Sequence, residues 1–343
     1  MTASATPPPE ISPPATPASR ARRIADDLAD RVPHPGEGDT AARWRLLADL
    51  THADIAVGRL VEAHLDARTI LHEIDSGTTE PGSFWGVWAA EPPHPRIEAS
   101  RTDRGWRLRG AKPWCSGVQT CTHALVTADV DDGARALFAV DLDEEGVRRE
   151  TTEWAATGMS ATETGTVHLD DVPARPIGSP GAYLERPGFF HGGIGVAACW
   201  WGGARKVADA IYRTSPADDV AAMHLGAIDA RLLAGFTLLE QVAGIVDAHP
   251  DDLDGARRLA LSVRWSVEQV ATEVIDRVAR ALGPTPLVRD AEHAQAVADL
   301  EVYLRQSHAE RDLIDLGRLT EAPLFGRSAG RDGITLESGA GRR

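Results

Sequence analysis

The chain has 343 residues, 43% hydrophobic and 25% charged, ordinary values for a globular protein long enough to hold two or three structural units. Lys plus Arg number 36 against 51 Asp plus Glu, a net charge of -15 that argues against nucleic acid or an anionic membrane as partner, since both recruit basic patches. The three cysteines form neither a CxxC pair nor a disulfide framework and fit a reducing cytoplasm, and no run of 18 apolar residues is present to make a spanning helix.

Residues 1–20 are rich in Pro, Ala and Thr, with no apolar segment behind a basic start, and read as a disordered tail and not a signal peptide. From 21 to 80, Leu46, Leu50, Ile55, Leu60, Val61, Leu65 and Ile70 recur at mixed helical spacings, which predicts two or three helices. The turn formers of SGTTEPGS close this unit. Between 81 and 180 the pattern changes to short strands: FWGVWAAE, RIEASRTD, GWRLRGAKPW, HALVTADV, ARALFAVDL and TGTVHLDD. Turn signals at Asp103 to Gly105 and Asp131 to Gly133 are too short for crossover helices, so the middle reads as an antiparallel β-domain.

Residues 181–320 return to helix. The clearest segment is 259–282, where Leu259, Val263, Val267, Val270, Val274 and Val278 step by four, four, three, four and four. A last helix is predicted over 289–316, with Val297, Leu300 and Leu304 on one face, and residues 321–343 read as a second disordered tail. The fold class is therefore α+β: helices, a barrel-like β-domain, then a helical bundle.

Three segments carry a resemblance to the acyl-CoA dehydrogenase superfamily, over about residues 53–317. KPWCSG resembles that family's motif at the end of a middle-domain strand; WAAEPPHP is similar to the strand ending in threonine-glutamate-proline; and residues 156–174, ATGMSATETGTVHLDDVPA, resemble its closing strand. The resemblance implies N-terminal helices, a middle β-barrel-like domain and a C-terminal four-helix bundle. It also implies FAD, with FMN as the alternative, held by Trp114, Cys115 and Ser116, by Ala90 and Glu91, and by Gly283 on the phosphate side. A flavin wants an apolar wall for its ring and donors at its polar edge, which an indole beside a hydroxyl and free amides supplies. The other reading of KPWCSG is a strand-end Trp filling the core and a turn serine.

Departures from the family bear on the chemistry. The family's catalytic glutamate, which takes the α-proton of an acyl thioester, falls near Ser307 and His308, and Glu310 is two to three residues out of register. The predicted helix would aim Ser307 and His308 inward, as a satisfied core pair or as site residues. RALGPTP keeps only Gly283 of the phosphate motif, and the N-terminal unit has about half the helical length of the family. These departures resemble the two-component flavin monooxygenases, a branch of the same fold that reacts reduced flavin with oxygen and often uses a histidine in the last bundle. The aromatic crowding, Trp85, Trp88, Trp114, Trp154, Trp200 and Trp201 among others, suits a flavin pocket or plain domain packing.

The expected activity is α,β-dehydrogenation of an acyl thioester with an electron-transfer protein as acceptor. The alternatives are monooxygenation with His308 as acid/base and a flavin reductase as partner, or a degenerate paralogue without turnover. The resemblance also implies a homodimer or homotetramer. Gly193-x-Gly195-x-x-Ala198 matches a dinucleotide fingerprint weakly, since no strand precedes it. EAHLDARTILHE, with Glu62, His64, His72 and Glu73, matches no metal motif, and no metal is expected there. A GxSxG elbow is missing, which leaves serine-hydrolase chemistry without support.

Overall fold

The computed structural model describes residues 15–28, 31–75, 77–90, 96–130, 133–151 and 154–320. Three helices come first: α1 (Pro17–Leu28), α2 (Thr40–Ala53) and α3 (Ile55–Asp75). The helix α1 begins inside the stretch expected to be a tail. Proline is tolerated in a first turn, whose N–H would have no partner, and Ala18, Ala21 and Ala25 give the helix a small buried face.

The middle of the chain forms β1 (Trp85–Trp88), β2 (Ile97–Thr102), β3 (Gly105–Cys115), β4 (His123–Asp129), β5 (Arg135–Asp141), β6 (Val147–Glu150) and β7 (Gly165–Ile177). The strands run in the order β4-β2-β3-β7-β5 and β5 pairs again with β4, so the sheet closes into a barrel-like unit, with β1 added on β4 and β6 on β7. The two-residue turn Asp103-Arg104 joins β2 to β3 as predicted. The antiparallel expectation is corrected along β4, where β1 runs parallel from the Trp85–His123 pair to the Trp88–Val126 pair and β2 joins in parallel at the Glu98–Asp129 pair. Parallel neighbours need a long connection, and here β2 and β3 supply it. The strand β6 was not foreseen: VRRE has no apolar alternation to mark it.

The helices α4 (Pro187–Tyr212), α5 (Asp219–Ala248), α6 (Leu253–Leu282) and α8 (Ala291–Tyr303) form the C-terminal bundle, with α4 packed against the other three and α7 (Thr285–Arg289) between α6 and α8. The valines Val263, Val267, Val270, Val274 and Val278 are the buried stripe of α6. Three bundle helices start on an aspartate whose carboxylate accepts a backbone N–H: Asp218 from Ala221 at 2.8 Å, Asp252 from Gly255 at 3.0 Å, and Asp290 from His293 at 3.0 Å. Each such cap stabilises its helix by about 1 kcal/mol.

The glycine string Gly193-x-Gly195 lies inside α4 and opens no helix, which removes the dinucleotide reading. Small residues there let neighbours close in: a side-chain carbon on Gly203 would stand 2.8 Å from Leu300, and one on Gly192 would stand 2.7 Å from the Asp66 carboxylate. By length and composition alone α5 could cross a membrane. In the fold it lies along α6, with Asp229 accepting from Tyr212 at 3.0 Å and Glu240 from Arg45 at 2.9 Å.

The predicted last helix is two helices. α8 stops at Tyr303, residues 304–306 make one 3₁₀ turn, Ser307 is extended, and α9 runs from Glu310 to Leu319. Ser307 Oγ accepts the N–H of Ala309 at 3.1 Å, a local bond that competes with helix, and Glu310 and Asp312 then suit the first turn of a new one.

Candidate functional site

The end of β3 is where the β-domain meets the bundle. Lys112 points inward and donates to Thr127 at 2.8 Å, and its burial lowers its pKa to about 8. Cys115 is fully buried, its Sγ 3.1 Å from the Lys112 carbonyl, and burial pushes its thiol far above the usual range. Between them Trp114 takes a φ of +60° and is 60% exposed. That conformation costs a bulky L-residue about 1–3 kcal/mol, and here it turns the indole out of its own domain. Trp114 is therefore not a strand-end core residue.

Ser116 follows as the pivot of a polar ladder. Its carbonyl accepts from the Trp88 indole at 3.1 Å, and its Oγ lies 3.3 Å from the Thr164 hydroxyl. Thr164 meets Thr162 at 2.7 Å, and Thr162 donates to the Met159 carbonyl at 2.7 Å. The N–H of Gly117 donates to the Thr162 carbonyl at 2.7 Å. Residues 157–164 are thus fastened along KPWCSG, and they contain two more left-handed non-glycine residues, Met159 at +58° and Glu163 at +50°.

The bundle closes on this loop through α8. The Asp299 carboxylate accepts the N–H of Met159, and Gln295 donates to the Thr157 carbonyl at 3.1 Å and to Asp299 at 2.8 Å. Burial raises the Asp299 pKa. Of the five left-handed non-glycine residues among those described, three lie in these segments: Trp114, Met159 and Glu163. Strained backbone persists only where its surroundings over-determine it, and such places cluster at functional sites.

The remaining sequence-predicted residues scatter. Ser307 is half-buried, and Glu310 is exposed. The His308 side chain is 72% exposed and pairs with Asp312 at 3.3 Å, a bond that raises its pKa. The inward aim expected for Ser307 and His308 is corrected: the helix that would have carried them ends four residues earlier. Arg264 of α6 holds the break, donating to the carbonyls of Gln306 and Gly193 at 3.0 Å each, its guanidinium stacked on Trp200. Gly283 has a φ of +62° and follows the last turn of α6, where a helix stop alone calls for glycine. Ala90 is exposed, and Glu91 lies outside the described residues. Of the tryptophans, Trp88 and Trp200 are core residues, and Trp201 packs on Phe236 of α5.

Sequence reasoning missed a buried ionic face on α3. Arg59 pairs with Glu62, Glu62 is 5% exposed, and burial pushes its pKa up to about 7 against the pull of Arg59. The same helix touches the site by a different face, through Leu60 against Gly117. The signal was an Arg and a Glu three apart inside the apolar run AVGRLVEAHL. His64 is structural: its Nδ1 accepts from the Trp85 N–H at 3.2 Å, and burial lowers its pKa to about 4.

The residues at the end of β3 fit a flavin. An outward indole offers a wall for a flat ring, and Ser116 beside it brings a hydroxyl.

Comparison with known proteins bears on this geometry. Residues 77–172 match the acyl-CoA dehydrogenase middle domain. The dibenzothiophene monooxygenase of Rhodococcus erythropolis is 25% identical over 173 residues, covering 43% of this chain and 41% of the relative. The match therefore spans less than half the length of that relative. Among solved structures, TdsC of Paenibacillus sp. A11-2 in complex with FMN and indole aligns at a TM-score of 0.70 and 16% identity, over 88% of this chain and 95% of that one. KijD3 in complex with FMN and a dTDP-sugar aligns at 0.68 and 19%, over 88% and 90%. Glutaryl-CoA dehydrogenase of Mycobacterium smegmatis aligns at 0.73 and 18%, over 87% and 86%. Residues 77–172 thus carry an acyl-CoA dehydrogenase middle domain, and the chain as a whole shares the fold of these flavoprotein structures.

Proposed function

We propose that the chain is a flavin-dependent oxidoreductase of the two-component monooxygenase type, using FMN or FAD that a separate flavin reductase delivers reduced. The observation that carries the proposal is the C-terminal edge of the site. In the dehydrogenases that the sequence resembles, a carboxylate of the last bundle helix takes the α-proton. Here the inward carboxylate of α8, Asp299, is held by Met159 and Gln295, and Glu310 faces solvent. The matched curated relatives are monooxygenases, which supports the same reading.

In this account Trp114 walls the flavin ring and Ser116 donates to its polar edge, while the Cys115 thiol stays in the core and contributes its backbone alone. Reduced flavin would supply the electrons that activate oxygen. His308 is assigned the proton: Asp312 raises its pKa, so the ring carries a proton further toward neutrality than a free histidine would. The exposed positions Met223, Leu233 and Phe236 of α5 favour a homo-oligomer, since an apolar face of this length is seldom left to water. The free cysteines favour the cytoplasm.

A second reading is α,β-dehydrogenation of an acyl thioester, with electrons passed to an electron-transfer protein. Glu62 favours it, as a carboxyl brought close to neutral pKa on the helix that borders Gly117. The deciding experiment supplies NADH, a flavin reductase, FMN and a panel that includes indole and dibenzothiophene, and follows oxygen uptake coupled to an oxygenated product. Product formation supports the proposal. Reduction of bound flavin by an acyl-CoA, without a reductase, would replace it by the dehydrogenase. Flavin binding without either reaction would point to a non-catalytic paralogue.

A further inference from the structure

Far from KPWCSG, the turn PHPGEG places His34 and Glu37 against His72 in the last turn of α3. One ligand atom from each of the three residues lies within 4.8 Å of the others. The His72 Nε2 is 3.0 Å from a Glu37 carboxylate oxygen, and the two imidazoles stack face to face with centroids 4.3 Å apart.

Both sides of the cluster are held by hydrogen bonds to neighbouring elements. Gly36 and Gly38 bend the turn with φ of +86° and +100°. The N–H of Gly36 donates to Thr40 Oγ1 at 2.7 Å, the N–H of Gly38 to Asp247 at 3.1 Å, and Arg43 to the Pro33 carbonyl at 3.0 Å. His72 stands on a 21-residue helix. The tautomer of His34 also follows from hydrogen bonding. Thr69 Oγ1 spends its proton on the Leu65 carbonyl at 3.2 Å, so it accepts from His34 Nδ1 at 2.9 Å. The Nδ1 of His34 is then the protonated one, and Nε2 presents a lone pair. A ligating histidine characteristically donates its second ring nitrogen in this way.

We infer that His34, Glu37 and His72 form a zinc site. Two imidazole nitrogens and one carboxylate oxygen are a common zinc donor set, and a fourth position opens to solvent, as Glu37 and His72 are each about half exposed. Ligand atoms around tetrahedral zinc lie roughly 3.3 Å apart and the ion sits in the plane of each imidazole, so binding requires the half-exposed His72 ring to turn out of its parallel stack on His34. Zinc would fasten the turn before α2 to the end of α3. The site involves no residue of the flavin cradle, so the inference is independent of the reaction catalysed.

The test is calorimetric titration of the chelator-treated full-length protein with zinc chloride, beside the variants His72→Ala, Glu37→Gln and Thr69→Val. The expected result is one equivalent bound with Kd on the order of micromolar. The two ligand variants should weaken binding at least about tenfold, and Thr69→Val, which frees the His34 tautomer, by roughly tenfold. Zinc should raise the Tm of the wild type and leave that of His72→Ala unmoved. Since His72 is half exposed, loss of the fold is not expected in that variant, and far-ultraviolet circular dichroism checks it. Failure to reach one saturable equivalent, or the same affinity in a His34→Ala/His72→Ala double variant, would overturn the inference.

Discussion

The two edges of the site are built differently. On the β-domain edge, Trp114, Met159 and Glu163 hold left-handed backbone, and a chain of hydroxyls and amides from Ser116 through Thr164 to Thr162 and Gly117 fixes them. On the C-terminal edge the chain leaves helix at Tyr303, and His308 and Glu310 face water. The first edge is over-determined by these contacts; the second is a break between two helices, tied down by Arg264 and open to water. A cofactor shared across a fold needs the fixed edge, whereas the groups that choose the reaction can change on the other.

The comparison breaks most visibly at Trp114. Trp114→Ala should strip flavin from the protein while thermal unfolding stays cooperative; unchanged flavin content in that variant would return the indole to a packing role. On the other edge, His308→Ala should lower turnover on the order of a hundredfold or more with no change in Tm, because the ring is mostly exposed. Full activity would take the proton from His308.

Asp299 joins the two edges. Asp299→Ala leaves the Met159 N–H without its acceptor, and a cost of about 1–3 kcal/mol should appear as a Tm several degrees lower together with weaker flavin binding. A drop in Tm alone would mean that α8 supports the fold and not the cradle. Glu62 provides a pH test. Its folded pKa lies above the usual carboxyl value, so the native state binds the proton more tightly and stability falls as pH rises from about 4.5 to about 7. Glu62→Gln should flatten that fall, as read by Tm across the range. The smallest effect belongs to Trp114→Gly, which relieves the left-handed strain and should raise Tm slightly above that of Trp114→Ala.

Much of the fold is legible because its signals are local. The α6 valines repeat at helical spacing, the Asp103-Arg104 turn announces its hairpin, and KPWCSG lies where the strand stops being regular. The parallel pairing of β1 with β4 could not be read, since it joins strands about 40 residues apart and leaves no trace in either. The break after Tyr303 leaves little trace in sequence: Ser307-His308-Ala309-Glu310 has a serine-x-x-glutamate spacing, yet α9 starts on Ala309 without a side-chain cap, and the apolar period upstream runs on into the break. In the site, Trp114 and Ser116 stand out by residue type. The roles of Thr162, Thr164 and Asp299 depend on contacts between distant segments, and the turn of His34 and Glu37 meets His72 only once α3 is in place.

The most direct test of the central claim is the visible spectrum of FMN on the protein, followed under anaerobic conditions as acyl-CoA thioesters are added and then as the flavin is reduced externally. The account predicts that no thioester bleaches the flavin band and that externally reduced FMN stays with the protein through gel filtration. Bleaching by any thioester would contradict it and restore the dehydrogenase.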